Sequence, residues 1–77
     1  MSEHITDVMV HVNEVLDEDT LHILEDELHE NAGVVAVGHD PRRPHLLVVA
    51  YDAEVVQPAN FLAPIRGRGL HAQLVGM

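Results

Sequence analysis

Alternation dominates the start of the chain. From Asp7 to Asn13, Val8, Val10 and Val12 fall on one side, and Asp7, Met9, His11 and Asn13 fall on the other. Period two with β-branched residues predicts a half-buried strand. The period then changes. Leu21, Leu24 and Leu28 stand at i, i+3 and i+7, with Ala32 just beyond, and predict the buried stripe of a helix running to about Asn31. His22, Glu25, Asp26, His29 and Glu30 are left towards solvent. Asp17 is placed to cap this helix, and Glu18 and Asp19 put negative charge where the helix dipole favours it. Leu16 before the cap and Leu21 after it are spaced as a hydrophobic staple. Gly33 is the expected stop.

Beyond Gly33 the elements shorten. Val34 to Gly38 predicts a second strand, and His39 to His45, with two prolines, predicts a turn. Leu46 to Tyr51 predicts a third strand that is apolar on both faces, as in strands covered on both sides. Asp52 to Val56 is a connection. Pro58 suits the first position of a second helix, with Phe61, Leu62 and Ile65 buried. Pro64 removes a donor and crowds the preceding turn, so this helix should be short, kinked or partly 3₁₀. Arg66-Gly67-Arg68-Gly69 ends it. His71 to Val75 predicts a fourth strand, with Ala72 and Leu74 inward and His71, Gln73 and Val75 outward. Residues 1–6 are polar and expected to fray.

The element order is β-α-β-β-α-β. It predicts an α+β, ferredoxin-like sandwich: a four-stranded antiparallel sheet, order 4-1-3-2, with two helices on one face. Residues 1–77 then form one domain, with an ordered core over about 7–75.

Composition narrows the function. A core of 77 residues is marginal, and with no cysteine it has no disulfide to support it. Tyr51 and Phe61 are the only aromatic residues beside an aliphatic majority. The formal charge is −9, with four arginines and no lysine. That balance argues against nucleic acid and anionic membranes as partners. No apolar run reaches the length of a membrane span, and Met1-Ser2-Glu3-His4 does not read as a signal peptide, so the expected location is cytoplasmic. Seven histidines are many for this length.

Certain spacings carry a resemblance. Asp17-Glu18-Asp19-Thr20 precedes Gly33-Val34, Tyr51-Asp52 closes the third strand, and Gly69-Leu70 precedes the last. In these features, and over about residues 7–75, the chain resembles the heavy-metal-associated, copper-chaperone-like domains. Asp17 and Thr20 stand where that family carries the two cysteines of a CxxC motif, and Leu70 stands in the place of an aromatic residue. The resemblance implies a soft-metal module. The residues contradict that function, because Cu(I) needs thiolate or thioether ligands and this loop offers hard oxygens. A helix cap is the simpler reading of Asp17, Glu18, Asp19 and Thr20. A hard-cation site is the alternative, although adjacent carboxylates seldom converge without further ligands.

The predicted connectivity gathers groups at one pole. The acidic loop, Arg42 and Arg43 of the turn, Arg66, Arg68 and His71 all belong there, so Arg66 or Arg68 is expected to pair with the loop. On the sheet's open face His11 and His71 are the leading candidate ligands for Zn²⁺, Ni²⁺, Co²⁺ or Cu²⁺, with Asn13, Met9 or His4 as a third. His22, Asp26 and His29 share a helix face that reads as solvated. No nucleophile–base pair or phosphate loop is present, so an enzyme is not expected. The same open face should show Met9, Val34, Ala36, Leu46, Val48, Ala50 and Val75, an apolar set suited to a partner protein or a homodimer. The leading expectation is a non-enzymatic binding or adaptor module that requires no cofactor. Histidine-based binding or sensing of a divalent transition metal is the alternative. A small-ligand regulatory domain is a weaker one, resting on fold analogy.

Overall fold

The computed structural model describes residues 4–75. Its elements are β1 (Ile5–Val12), α1 (Glu18–His29), β2 (Val34–His39), β3 (Leu46–Asp52), a 3₁₀ turn (Pro58–Phe61), α2 (Leu62–Arg66) and β4 (Ala72–Val75). The strands form one antiparallel sheet in the order β2-β3-β1-β4, the predicted order read from the other edge.

β1 begins at Ile5, two residues ahead of the predicted start. Ile5 pairs with Asp52, Thr6 pairs with Tyr51, and the Ala53 N–H donates to the His4 carbonyl at 3.0 Å. The pairing partner extends the strand where polarity alone suggested fraying. Met1 to Glu3, also expected to fray, lie outside the described residues.

The core lies between the sheet and the two helices. Val8, Val10 and Val12 are buried on β1, Leu21, Leu24 and Leu28 on α1, and Leu47, Val49 and Tyr51 on β3. Phe61, Leu62 and Ile65 complete it, and the Phe61 ring meets Tyr51 edge-on with centroids 5.2 Å apart. Leu16 packs against this core beside buried Leu21, as a staple should. The proline pattern also has its expected effect. Pro58 opens a 3₁₀ turn, and the α-helical part that contains Pro64 is only five residues long.

One expected orientation and one expected burial are changed. Val34 pairs with Tyr51, but the next pair is Ala36 with Ala50, so Val35 is the extra residue of a β-bulge. The bulge breaks the period-two count. Val34 therefore packs against the core with Val37 instead of joining the open face, and Val35 is 54% exposed. Leu74 pairs with Val10 on the helix side as expected, yet it stays 37% exposed because β4 is an edge strand.

Gly33 connects α1 to the sheet at φ +91°, a conformation that side chains with a Cβ rarely adopt. Its carbonyl accepts from the Asp52 N–H at 2.8 Å, and a Cβ there would lie 2.9 Å from the Val55 side chain.

Phe61 is fully buried in a domain whose core is near the lower limit of size. Phe61→Ala should lower the free energy of unfolding by about 3–5 kcal/mol. Urea denaturation followed by circular dichroism measures this directly. A loss below about 1 kcal/mol would mean that the ring is not the packing centre.

Candidate functional site

The loop between β1 and α1 is built as a helix cap. Asp17 has extended backbone geometry, and its Oδ1 accepts the Thr20 N–H at 2.8 Å. The Leu21 N–H donates to the Asp17 carbonyl at 3.0 Å and starts the helix. Hydrogen bonds from Thr20, side chain first and backbone second, hold the Asp17 carboxyl below its ordinary range. Glu18 and Asp19 form the acidic first turn and are exposed. The donor set of Asp17, Glu18, Asp19 and Thr20 therefore does not fit a soft metal: it contains no sulfur, and one carboxylate oxygen is already occupied by the helix.

At the same pole, β1 ends between two histidines. The Val12 N–H donates to the His45 carbonyl and the Asn13 N–H donates to the His71 carbonyl, each at 2.8 Å. Neither bond was evident from the sequence. Together they place His45 on the β3 side of the strand end and His71 on the β4 side. His11 points to the open face, with Leu46 as its partner on β3 and Gln73 on β4. His71 is thus a diagonal neighbour of His11 and not a direct one. The ring closest to His11 in character and position is that of His45, stacked at a centroid distance of 6.0 Å with 22° between the planes. The sequence pattern places His45 only in the turn.

Each of these rings uses its Nδ1. That of His11 lies 3.2 Å from Asn13 Oδ1, and that of His45 lies 2.9 Å from the Val12 carbonyl. The Nδ1 of His71 lies 2.5 Å from Glu14 Oε2, while the His71 backbone N–H donates to Glu14 Oε1 at 2.8 Å. The hydrogen bonds from the His71 side chain and then its backbone hold the Glu14 carboxyl below its ordinary pKa range. As the side chains stand, no three His, Asp or Glu groups among the described residues converge closely enough to hold an ion.

The arginines take other partners than the acidic loop. Arg68 Nε donates to Glu27 Oε1 at 2.8 Å, because α2 packs alongside α1. Arg66 Nη2 donates to the Ala72 carbonyl at 3.3 Å. Arg42 closes on Asp40 within the turn, and Arg43 is exposed beside it. On α1, His22, Asp26 and His29 are all exposed.

The open face of the sheet carries the apolar set. Met9 pairs with Val48, His11 with Leu46, and Met9 with Val75 across the other edge. Val48 is 40% exposed, and Met9, Leu46, Ala50 and Val75 are half-buried by their neighbours alone. Asp7 and Asp52 stand at the far end, opposite Ala50 and Ile5. Among the described residues there is no enclosed cavity and no helix long and apolar enough to cross a membrane.

The cap has a pH signature. A folded-state pKa held below the unfolded value stabilises the fold above about pH 4, and that contribution is lost as pH falls through the folded value. Asp17→Ala should lower Tm by about 5 °C at pH 7. The difference from the parent protein should shrink towards pH 2–3. Thermal melts at both ends of that range test it, and a gap that persists undiminished in acid would remove the carboxylate from the account.

No family model matches the chain, and no curated protein matches it. Solved structures do. A copper binding domain from HMA7, a P-type ATPase, superposes with a TM-score of 0.79 at 17% identity, covering 91% of this chain and 93% of that one. The putative copper-ion-binding protein from Bacillus anthracis str. Ames gives 0.80 at 21% identity, over 94% of this chain and 100% of the other. Oxidized MerP from Ralstonia metallidurans CH34 gives 0.80 at 12% identity, over 94% and 99%. At these identities the likeness is one of fold. The chain has the fold of the heavy-metal-associated domains, and it has that fold without a cysteine.

Proposed function

We propose that this chain is a non-enzymatic protein-contact module that works through the open face of its sheet, and that the occupant of that face is a second copy of the chain. The observation that carries the reading is β3. Its apolar run has two faces, and only the one bearing Leu47, Val49 and Tyr51 is covered by the chain's own helices. Val48 stands 40% exposed at the centre of the other, beside Met9. An apolar centre within a polar rim is how contact surfaces are built.

Charge supports a second copy in spite of the net −9. Glu18, Asp19, Glu25, Asp26 and Glu27 lie on α1 and Glu30 caps its C-terminus, on the opposite side of the sheet. Face-to-face packing turns those helices outward, and salt screens charges beyond about 8 Å at physiological ionic strength. The face itself has a histidine end, with His11, His45 and His71, and an acidic end, with Asp7 and Asp52. A twofold axis lying in the interface and running across the strands sets each histidine end against the partner's acidic end, the self-complementary pattern of an isologous dimer. Burial of this face also adds apolar area to a small core.

Sedimentation equilibrium from about 10 μM to 1 mM, a range that reads weak dimers, tests the reading. The parent chain should dimerise within it, and Val48→Glu should remain a monomer with an unchanged circular dichroism spectrum. A parent chain that stays monomeric throughout, or a Val48→Glu variant that dimerises equally well, overturns it.

A further inference from the structure

One residue of the open face is not explained by an apolar contact. Asp7 lies on β1 opposite Ala50, two places from Met9. It is exposed, and among the described residues its side chain has no hydrogen bond or ion pair. A carboxylate covered by a second copy and left without a partner would oppose association strongly. The second copy must therefore bring a donor to Asp7. The spacing along the sheet supplies one. Asp7, Met9 and His11 fall at every second position of β1, and Ala50, Val48 and Leu46 stand opposite them on β3. Both rows are centred on the Met9–Val48 pair, and the β1 row carries a carboxylate at one end and an imidazole at the other.

We propose that two copies dock about a twofold axis that crosses the strands at the level of Met9 and Val48, so that Asp7 of each copy accepts a hydrogen bond from His11 of the other. The inference rests on the second-copy reading of this face and adds its register and the residues that select it. The other in-plane axis runs along the strands. It sets the level of Asp7 against the same level of the partner, and so brings like charges together in a chain whose net charge is already −9. The axis across the strands reverses the order, and His11 comes to the level of the partner's Asp7. The His11 Nδ1 lies 3.2 Å from Asn13 Oδ1, so Nε2 is the ring nitrogen left for the partner. The pairing occurs twice, as an isologous contact requires. The same operation carries the turn ahead of β3, where Arg43 is exposed, to the end of the partner's β3 that holds Asp52. Aligned sheets pack about 10 Å apart with their strands within about 30° of each other. Residues two places from the axis then stay opposite their counterparts.

A chain without cysteine allows the register to be read by single-cysteine cross-linking without background. Full-length Val48→Cys, Asp7→Cys and His11→Cys are treated with a short bismaleimide at a concentration where the parent dimerises, and the products are separated on denaturing gels. Val48 lies on the proposed axis and faces its own copy, so Val48→Cys should be captured as a dimer. Asp7→Cys alone and His11→Cys alone should stay largely uncaptured, because their two thiols stand four residues, or about 13 Å, apart along the strand. An equimolar mixture of Asp7→Cys and His11→Cys should be captured, since the mixed pair brings the thiols together and keeps one Asp7–His11 contact. Asp7→Lys should weaken dimerisation at least about tenfold, and Asp7→Lys combined with His11→Asp should recover most of that loss. Circular dichroism of each variant confirms the fold. Capture of Asp7→Cys by itself, with no gain in the mixture, overturns the register and leaves the dimer standing. Failure of the double variant to recover also overturns it. A parent chain that stays monomeric in sedimentation equilibrium overturns both the register and the reading beneath it.

Discussion

The register of β1 governs the whole arrangement. This strand is paired on both sides, and Val8, Val10 and Val12 are buried beneath the helices. Slipping it by one residue would exchange those valines for Asp7, Met9 and His11, at a cost no small core can bear. The two faces of the sheet are therefore fixed by the same interaction. Once the valines are inside, Met9 must sit beside Val48 and His11 beside Leu46. The apolar set and the histidine end of the open face follow from core packing and need no separate device to orient them.

The loop after β1 illustrates how one fold position can carry different chemistry. The backbone must turn from strand to helix, and the helix leaves N–H groups without partners. Here Asp17 supplies the missing acceptor, and the acidic residues behind it suit the dipole. The resemblance to heavy-metal-associated domains places sulfur ligands in this loop. In this chain its oxygens serve the fold.

Much of the fold was legible because each signal was local. Leu21, Leu24 and Leu28 announced a helix, Asp17 its start, and Pro58 and Pro64 the broken character of the second one. The bulge at Val35 was not legible, since Val34-Val35-Ala36-Val37 fits either side of a period-two count. The start of β1 depended on Asp52 and Ala53, more than forty residues away in sequence. The candidate site was half legible. Alternation put His11 and His71 on the open face, but it could not give the β1–β4 register that makes them diagonal. His45 lay in a proline-flanked turn, and only the Val12 carbonyl reveals which way its ring is held. The pairing of Arg68 with Glu27 was hidden for the same reason, being set by how the two helices pack.

β3 has one further consequence, for the chain before it folds. Leu46-Leu47-Val48-Val49-Ala50-Tyr51 is uncharged, lacks proline and is rich in strand-forming residues, the composition of a cross-β nucleus. In the native sheet it is harmless, because β1 and β2 occupy both of its edges. Arg42, Arg43 and Pro44 on one side and Asp52 on the other act as gatekeepers around it. Among the described residues, the bulged β2 is the only cover on one of those edges. Detachment of that strand would present a long apolar template to neighbouring chains, so β2 guards the solubility of the protein as well as completing its sheet.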